Sequence, residues 1–225
     1  MTRIKFFHLT VVVLIFSSCT TTKPLTSKVQ PKDVSDIQNF ETLSFITLIE
    51  GGNRGKFNDT LSRKSKEIFQ EVLTTFKSLP LTGNIFSSDT IVQKRIEREI
   101  EFLCVSADRQ RSISGINLTP VLDSLLEISG KRFGLITITT GFTRTKGNYG
   151  GQVAKGAAMA IITLGMFYQT PIKANSTVYA MILDSKDNNV AFYRKSFLQD
   201  KEPLDKSVLT KQIQKLFEDY FWTRK

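Results

Sequence analysis

The chain has 225 residues, a formal net charge of +10 and 40% hydrophobic residues. That length and apolar share support one folded domain whose core closes without staples. One histidine, His8, and two cysteines, Cys19 and Cys104, leave little room for His-based nucleophile systems, His-ligated zinc or a disulfide framework.

The first stretch is "MTRIKFFHLTVVVLIFSSC". Arg3 and Lys5 form a basic start, an apolar run from Val11 to Phe16 follows, and Ser17 and Ser18 are the small residues of a cleavage site. The apolar run falls short of the roughly 20 residues that a membrane-spanning helix needs. The cysteine placed directly after "FSS" resembles the lipobox of bacterial lipoproteins. With Phe16 where that pattern has Leu, it is similar to the looser form of Bacteroidetes lipoproteins. The resemblance implies cleavage before Cys19, acylation of that residue (palmitate among the chains), and the membrane as its partner through the lipid.

Loss of the signal peptide, residues 1–18, removes His8, Arg3 and Lys5. The mature chain then has no histidine, and the formal charge of +10 drops by two to +8. A basic balance favours anionic lipid or glycan surfaces, and an exported lipoprotein is not expected to meet nucleic acid. "TTTKP" after Cys19 carries no acidic residue. The lipoprotein resemblance then implies the outer membrane, with the domain facing the periplasm.

Residues 19–40 are rich in Thr, Ser, Lys and Pro and are expected to form a lipid-anchored flexible tether. One domain follows over 41–225. "ETLSFITLIEGG" predicts a central strand closed by Gly51 and Gly52. Asn58 or Asp59 then caps a helix whose apolar residues recur from Leu61 to Leu79. Ser88 or Asp89 caps a second, with a stripe of Ile91, Val92, Ile96, Ile100 and Leu103. Cys104 lies in this second helix beside Phe102, Leu103 and Val105, as a buried apolar thiol. A third helix has Thr119 as cap, Pro120 as first residue and Gly130 as stop. A β-branched strand spans 132–145, a hairpin has strands at 177–183 and 190–197, and a last helix covers 204–221. The expected fold is α+β: helices on a mixed, mostly antiparallel sheet of about four strands, in the order β-α-α-α-β-β-β-α.

Between the β-branched strand and the hairpin lies a Gly-rich apolar insertion, residues 146–173. Gly151 and Gly156 have phosphate-loop spacing, but Ala157 and Ala158 stand where that motif needs Lys and Ser or Thr. No nucleotide or other cofactor is expected. Two readings stay open for the insertion. One is a buried helix or lid over one end of the sheet. The other is a membrane or partner contact made by Gly150, Gly151, Gly156, Met159, Ile161, Ile162, Leu164, Gly165, Met166 and Phe167.

Paired acids occur in simple settings: Glu97, Glu99 and Glu101 on a helix face, Asp184 and Asp187 in a hairpin turn, Glu218 and Asp219 near the end. None has the patterning of a catalytic pair, and no metal spacing is present, so neither catalytic nor metal residues are assigned. The element order over about 42–221, with "TPVLDSLLEISGKRFGLITITTGF" and the turn from Asp184 to Val190, resembles the periplasmic domain of curli-secretion-channel (CsgG-like) lipoproteins. That resemblance implies a non-enzymatic cell-envelope protein acting in assembly or transport of envelope components, with an envelope protein partner or copies of itself. An oligomeric secretion-channel subunit is one alternative, and a glycan or lipid hydrolase using carboxylates is another.

Overall fold

The computed structural model describes residues 19–164, 166 and 171–223. The signal-like segment 1–18, together with Gly165 and Phe167, lies outside them. Among the described residues nine strands form one mixed sheet: β1 (Cys19–Thr21), β2 (Leu25–Thr26), β3 (Ile37–Phe40), β4 (Leu43–Gly51), β5 (Arg54–Phe57), β6 (Leu81–Ile85), β7 (Phe133–Arg144), β8 (Asn175–Asp184) and β9 (Asn189–Gln199). Five α-helices accompany it among the described residues: α1 (Asp59–Thr75), α2 (Thr90–Gln110), α3 (Pro120–Ser129), α4 (Asn148–Ile162) and α5 (Lys206–Phe217). The class is α+β as expected, but the expected four strands and their order understate the sheet.

Strands β7, β8 and β9 make an antiparallel meander at its centre. β3 and β4 share the other side of β7, both parallel to it. Gln38 and Asn39 pair with Gly134 and Leu135, and β4 takes over from Ile138 to Arg144. β6 extends β3 in parallel, while β5 folds back antiparallel on β4. Along the far side of β9 run β1 and β2. The nine segments therefore fill a sheet only six strands wide.

The central strands are apolar on both faces, which is why they read as near-continuous hydrophobic runs rather than alternating ones. Leu135, Ala180, Ile182 and Phe192 pack under α1 and α5, against Phe69, Val72, Leu209, Ile213 and Phe217. Their neighbours Ile136, Met181, Leu183 and Tyr193 face α2 and α3, against Ile100, Leu103, Leu122 and Leu126. Two hydrophobic layers thus enclose one sheet.

Most expected caps are in place. The Asn58 side chain accepts from the Leu61 N–H at 2.9 Å, and Asp89 Oδ1 accepts from Ile91 at 2.7 Å. Gly130 takes the left-handed conformation that stops α3, with φ of 64°. Thr119 is a correction. It holds the cap position but its hydroxyl makes no hydrogen bond, and Glu99 of α2 accepts the Val121 N–H at 3.1 Å instead. A carboxylate from a neighbouring helix does the capping here.

Residues 19–40, read from composition as a tether, are laid against the sheet. Thr22 donates its N–H to the Lys195 carbonyl and Ser27 to that of Ala191, both at 2.9 Å, and Ile37 and Phe40 are fully buried. The backbone needs of residues 19–27 are met by the free edge of β9, and those of β3 by β6 and β7, partners that composition does not reveal.

Candidate functional site

The backbone register brings the cysteine of the signal boundary and the Gly-rich segment to one end of the sheet. Cys19 pairs with Leu198, Leu198 with Ser176, Ser176 with Gly141, and Gly141 with Ile46, in a single row across five strands. Because β1 runs antiparallel to β9, the chain enters the sheet at the end where β9 leaves it. β7 leaves and β8 enters at that same end, and α4 lies between them in sequence. At about 4.8 Å per strand, Cys19 stands roughly 14 Å across the sheet from β7.

The base of α4 is fastened to the β4–β5 hairpin. The Arg144 guanidinium donates to Asn148 Oδ1 at 2.7 Å, to the Ile172 carbonyl at 3.0 Å and to the Gly52 carbonyl at 3.3 Å. Asn148 Nδ2 donates to the carbonyls of Glu50 and Gly52, and the Thr145 hydroxyl to Glu50. Beyond this clamp, α4 has no buried residue. That overturns the expectation of a buried helix or lid for the described part of the insertion. Ile161 is 78% exposed, Ile162 75%, Leu164 91% and Met166 78%, with Met159 also exposed. A Cβ at Gly150 or Gly151 would meet nothing within 4 Å, so these glycines serve no close packing within the chain. Gly156 is half-buried on the same helix.

Charge around this apolar helix has one sign. From Arg144 to Lys173 there are four basic residues, Arg144, Lys146, Lys155 and Lys173, and no acid. Arg54 and Lys56, exposed on β5 of the clamped hairpin, add to them. Sequence reading singled out the apolar residues but not this basic company; the acid-free run was the signal that would have found it. Among the described residues no helix is long and apolar enough to cross a membrane.

A second polar constellation ties α2 to β9. Lys195 Nζ lies 2.9 Å from Asp108 Oδ2, the Tyr193 hydroxyl donates to Asp108 Oδ1 at 3.2 Å, and Lys195 sits 5.2 Å from the Tyr179 ring centroid. Burial raises both tyrosines above the ordinary phenol value. Burial opposes the charge on Lys195, but the bond to Asp108 and the attraction of Tyr179 and Asp108 together outweigh it, and the ammonium is held more firmly than usual. The cluster borders a cleft of about 330 Å³ that Phe45, Val105, Ile138 and Thr140 also line. Cys104 reaches the same cleft. Burial, then the nearby Asp108, pushes its thiol up to about 12, so it stays protonated and a poor nucleophile.

Four of the acids noted from sequence, Asp184, Asp187, Glu97 and Glu99, have side-chain partners. Asp184 is fully buried and takes two hydrogen bonds from Arg132, at 2.7 Å each, and Arg132 also reaches Asp187 at 3.2 Å. Glu99 caps α3, and Glu97 accepts from Gln93 at 3.5 Å. Glu218 and Asp219 follow the end of α5, where the Glu218 carbonyl accepts from Arg194 at 2.7 Å. Among the described residues, no three His, Cys, Asp or Glu side chains gather in a group that could hold a metal ion.

No family model matches the chain, and no curated protein does. Solved structures with a comparable course include the PelC dodecamer from Paraburkholderia phytofirmans, at 9% identity over 92% of this chain and 99% of that one, with a TM-score of 0.39. The C-terminal domain of LpoB from Salmonella enterica is 8% identical over 74% and 85%, with a TM-score of 0.28. A DUF4136 family protein from Bacteroides thetaiotaomicron is 8% identical over 88% and 94%, with a TM-score of 0.31. Likeness at this level leaves function to be argued from the chain itself.

Proposed function

We propose that this chain is a non-enzymatic cell-envelope lipoprotein. Cys19 carries the lipid, the outer membrane holds it, and the domain works in assembly or transport of envelope components through protein contacts in the periplasm. The observation that carries this reading is the place of Cys19. It directly follows a signal-like segment and is the first residue of an edge strand paired with β9. A lipid there leaves little slack between bilayer and domain, so the domain rides on the membrane surface rather than at the end of a leash. Several acyl chains are needed for a stable hold, since each buried methylene contributes only about 0.8 kcal/mol.

Palmitate labelling and membrane fractionation of wild type against Cys19→Ala test it. The wild type should incorporate label and stay with membranes through high-salt washing, and the variant should do neither. A variant that remained tightly membrane-bound would sink the anchor. The mass of the native protein, gently extracted, then reports its company: one envelope protein for an accessory module, a closed ring of copies for a channel subunit.

A further inference from the structure

We propose that the apolar end of α4 dips into the leaflet that holds the lipid on Cys19, with the surrounding basic residues on anionic headgroups. This rests on the lipoprotein reading for the choice of leaflet and for the geometric observation, and on exposure and charge for the contact itself. Three independent observations carry it. The first is geometric: Cys19 and both roots of the α4 segment lie at one end of the sheet, so a membrane touching one faces the other. The second is exposure: Met159, Ile161, Ile162, Leu164 and Met166 stand out in a continuous stretch with none of them buried against the domain. A cluster of that kind marks a contact with lipid or protein. The third is charge: Lys146, Lys155, Lys173, Arg54 and Lys56 are exposed around the helix. Two acids bond to this segment: Glu50, through its backbone carbonyl to Thr145 and Asn148, and Asp200, whose Oδ1 accepts the Lys173 N–H at 2.8 Å. A basic collar round an apolar tip complements anionic lipid, each cation contributing near the surface.

The form of α4 suits a shallow contact. With 15 residues it is too short to span, but an apolar end can reach about 5–10 Å into the headgroup and acyl boundary. Its base is held by Arg144 and Asn148, so the tip is presented by a fixed hairpin rather than by a loose loop. Two weak attachments at one sheet end would also fix the domain's orientation on the bilayer, which a lipid alone does not.

The described residues from Cys19 onward enclose their own two-layer core, so residues 19–225 carrying Cys19→Ala serve as a probe free of lipid. Co-sedimentation with vesicles of phosphatidylethanolamine and phosphatidylglycerol at about 7:3 should exceed that with phosphatidylcholine by about tenfold and weaken as salt rises. The double variant Ile161→Asp, Leu164→Asp should lose about tenfold in binding while melting at the same temperature. In Ile162→Trp, brominated lipid should quench the new indole. Vesicle binding that is absent, or that survives the double variant, overturns the proposal. Self-association through α4 without vesicle binding does the same and gives the tip to a second copy. Because Cys19 is not used, failure here leaves the lipid anchor standing, and failure of palmitate labelling leaves this contact standing.

Discussion

The Arg132 guanidinium and the Asp184 carboxylate meet face to face, Nε and Nη2 each donating at 2.7 Å to one carboxylate oxygen. Asp184 ends β8 with its side chain wholly buried, and Arg132 precedes β7 with a third of its side chain exposed. The pair ties the start of β7 to the end of β8, at the end of the sheet opposite α4. Arg132→Ala leaves a buried carboxylate without its partner and should cost about 3 kcal/mol in urea unfolding. Asp187→Ala, which removes only the exposed arm of the same contact, should cost about 0.5 kcal/mol or less.

Cys104 makes stability fall at alkaline pH. The folded state keeps its proton to about 12, while the unfolded chain releases it near the ordinary 9.0. Above pH 9 the unfolded state therefore binds fewer protons. The contribution is complete below that pH and declines as pH rises toward 12, by at most about 1.4 kcal/mol per unit. Burial raises the Tyr220 phenol to about 12 as well, so it acts in the same direction. Unfolding followed from pH 9 to about 11 should show a shallower decline in Cys104→Ala than in wild type. In native protein the thiol should resist a disulfide-exchange reagent that labels it at once in denaturant.

Asp205 gives the opposite dependence. Bonds from Ser207, side chain and backbone, hold its carboxyl below the usual 3.8, and it caps α5 through the Ser207 and Val208 N–H groups at 2.8 and 3.4 Å. Its support is present above the unfolded value and is lost as pH falls through the lower folded one. Asp205→Ala should cost about 1 kcal/mol at neutral pH. Asp205→Asn should keep the cap and remove that share of the acid sensitivity, as thermal melts at pH 3 and 7 (about) would show.

Glycines separate two environments. A Cβ at Gly141 would stand 2.3 Å from the Asn175 carbonyl oxygen and 3.0 Å from Pro203, and neither backbone nor ring can step aside. Gly141→Ala should cost about 1–3 kcal/mol. Gly150→Ala, on the open surface of α4 with nothing near, should instead gain up to about 1 kcal/mol in helix stability, read from melting. An unchanged Gly141→Ala would mean that β7 and β8 pack more loosely there than their register requires.

Four of the five described helices, α1, α2, α3 and α5, were legible because each carries its own signal. Asn58, Asp89 and Gly130 mark ends through local bonds and one left-handed turn, and the stripe of Ile96, Ile100 and Leu103 needs no distant partner to be read. β7, β8 and β9 were legible as apolar β-branched runs. The short strands were not. β5 is exposed throughout, and β1 and β2 are only three and two residues long; each exists because a neighbour presents unpaired N–H and C=O groups.

By itself the sequence determined the signal-like start ending at Cys19, the mixed α and β content, and the apolar, acid-free character of residues 146–173, since these lie in composition and local spacing. Only the tertiary structure decided where those parts stand. Hydrogen bonds to β9 turned the expected tether into an edge strand, and buried pairing with Arg132 took Asp184 out of the reckoning as a free acid. The register from Cys19 through Leu198, Ser176 and Gly141 set the first residue of that strand and the roots of α4 at one end of the sheet. Such placements arise from contacts between residues far apart in the chain, which no local pattern encodes.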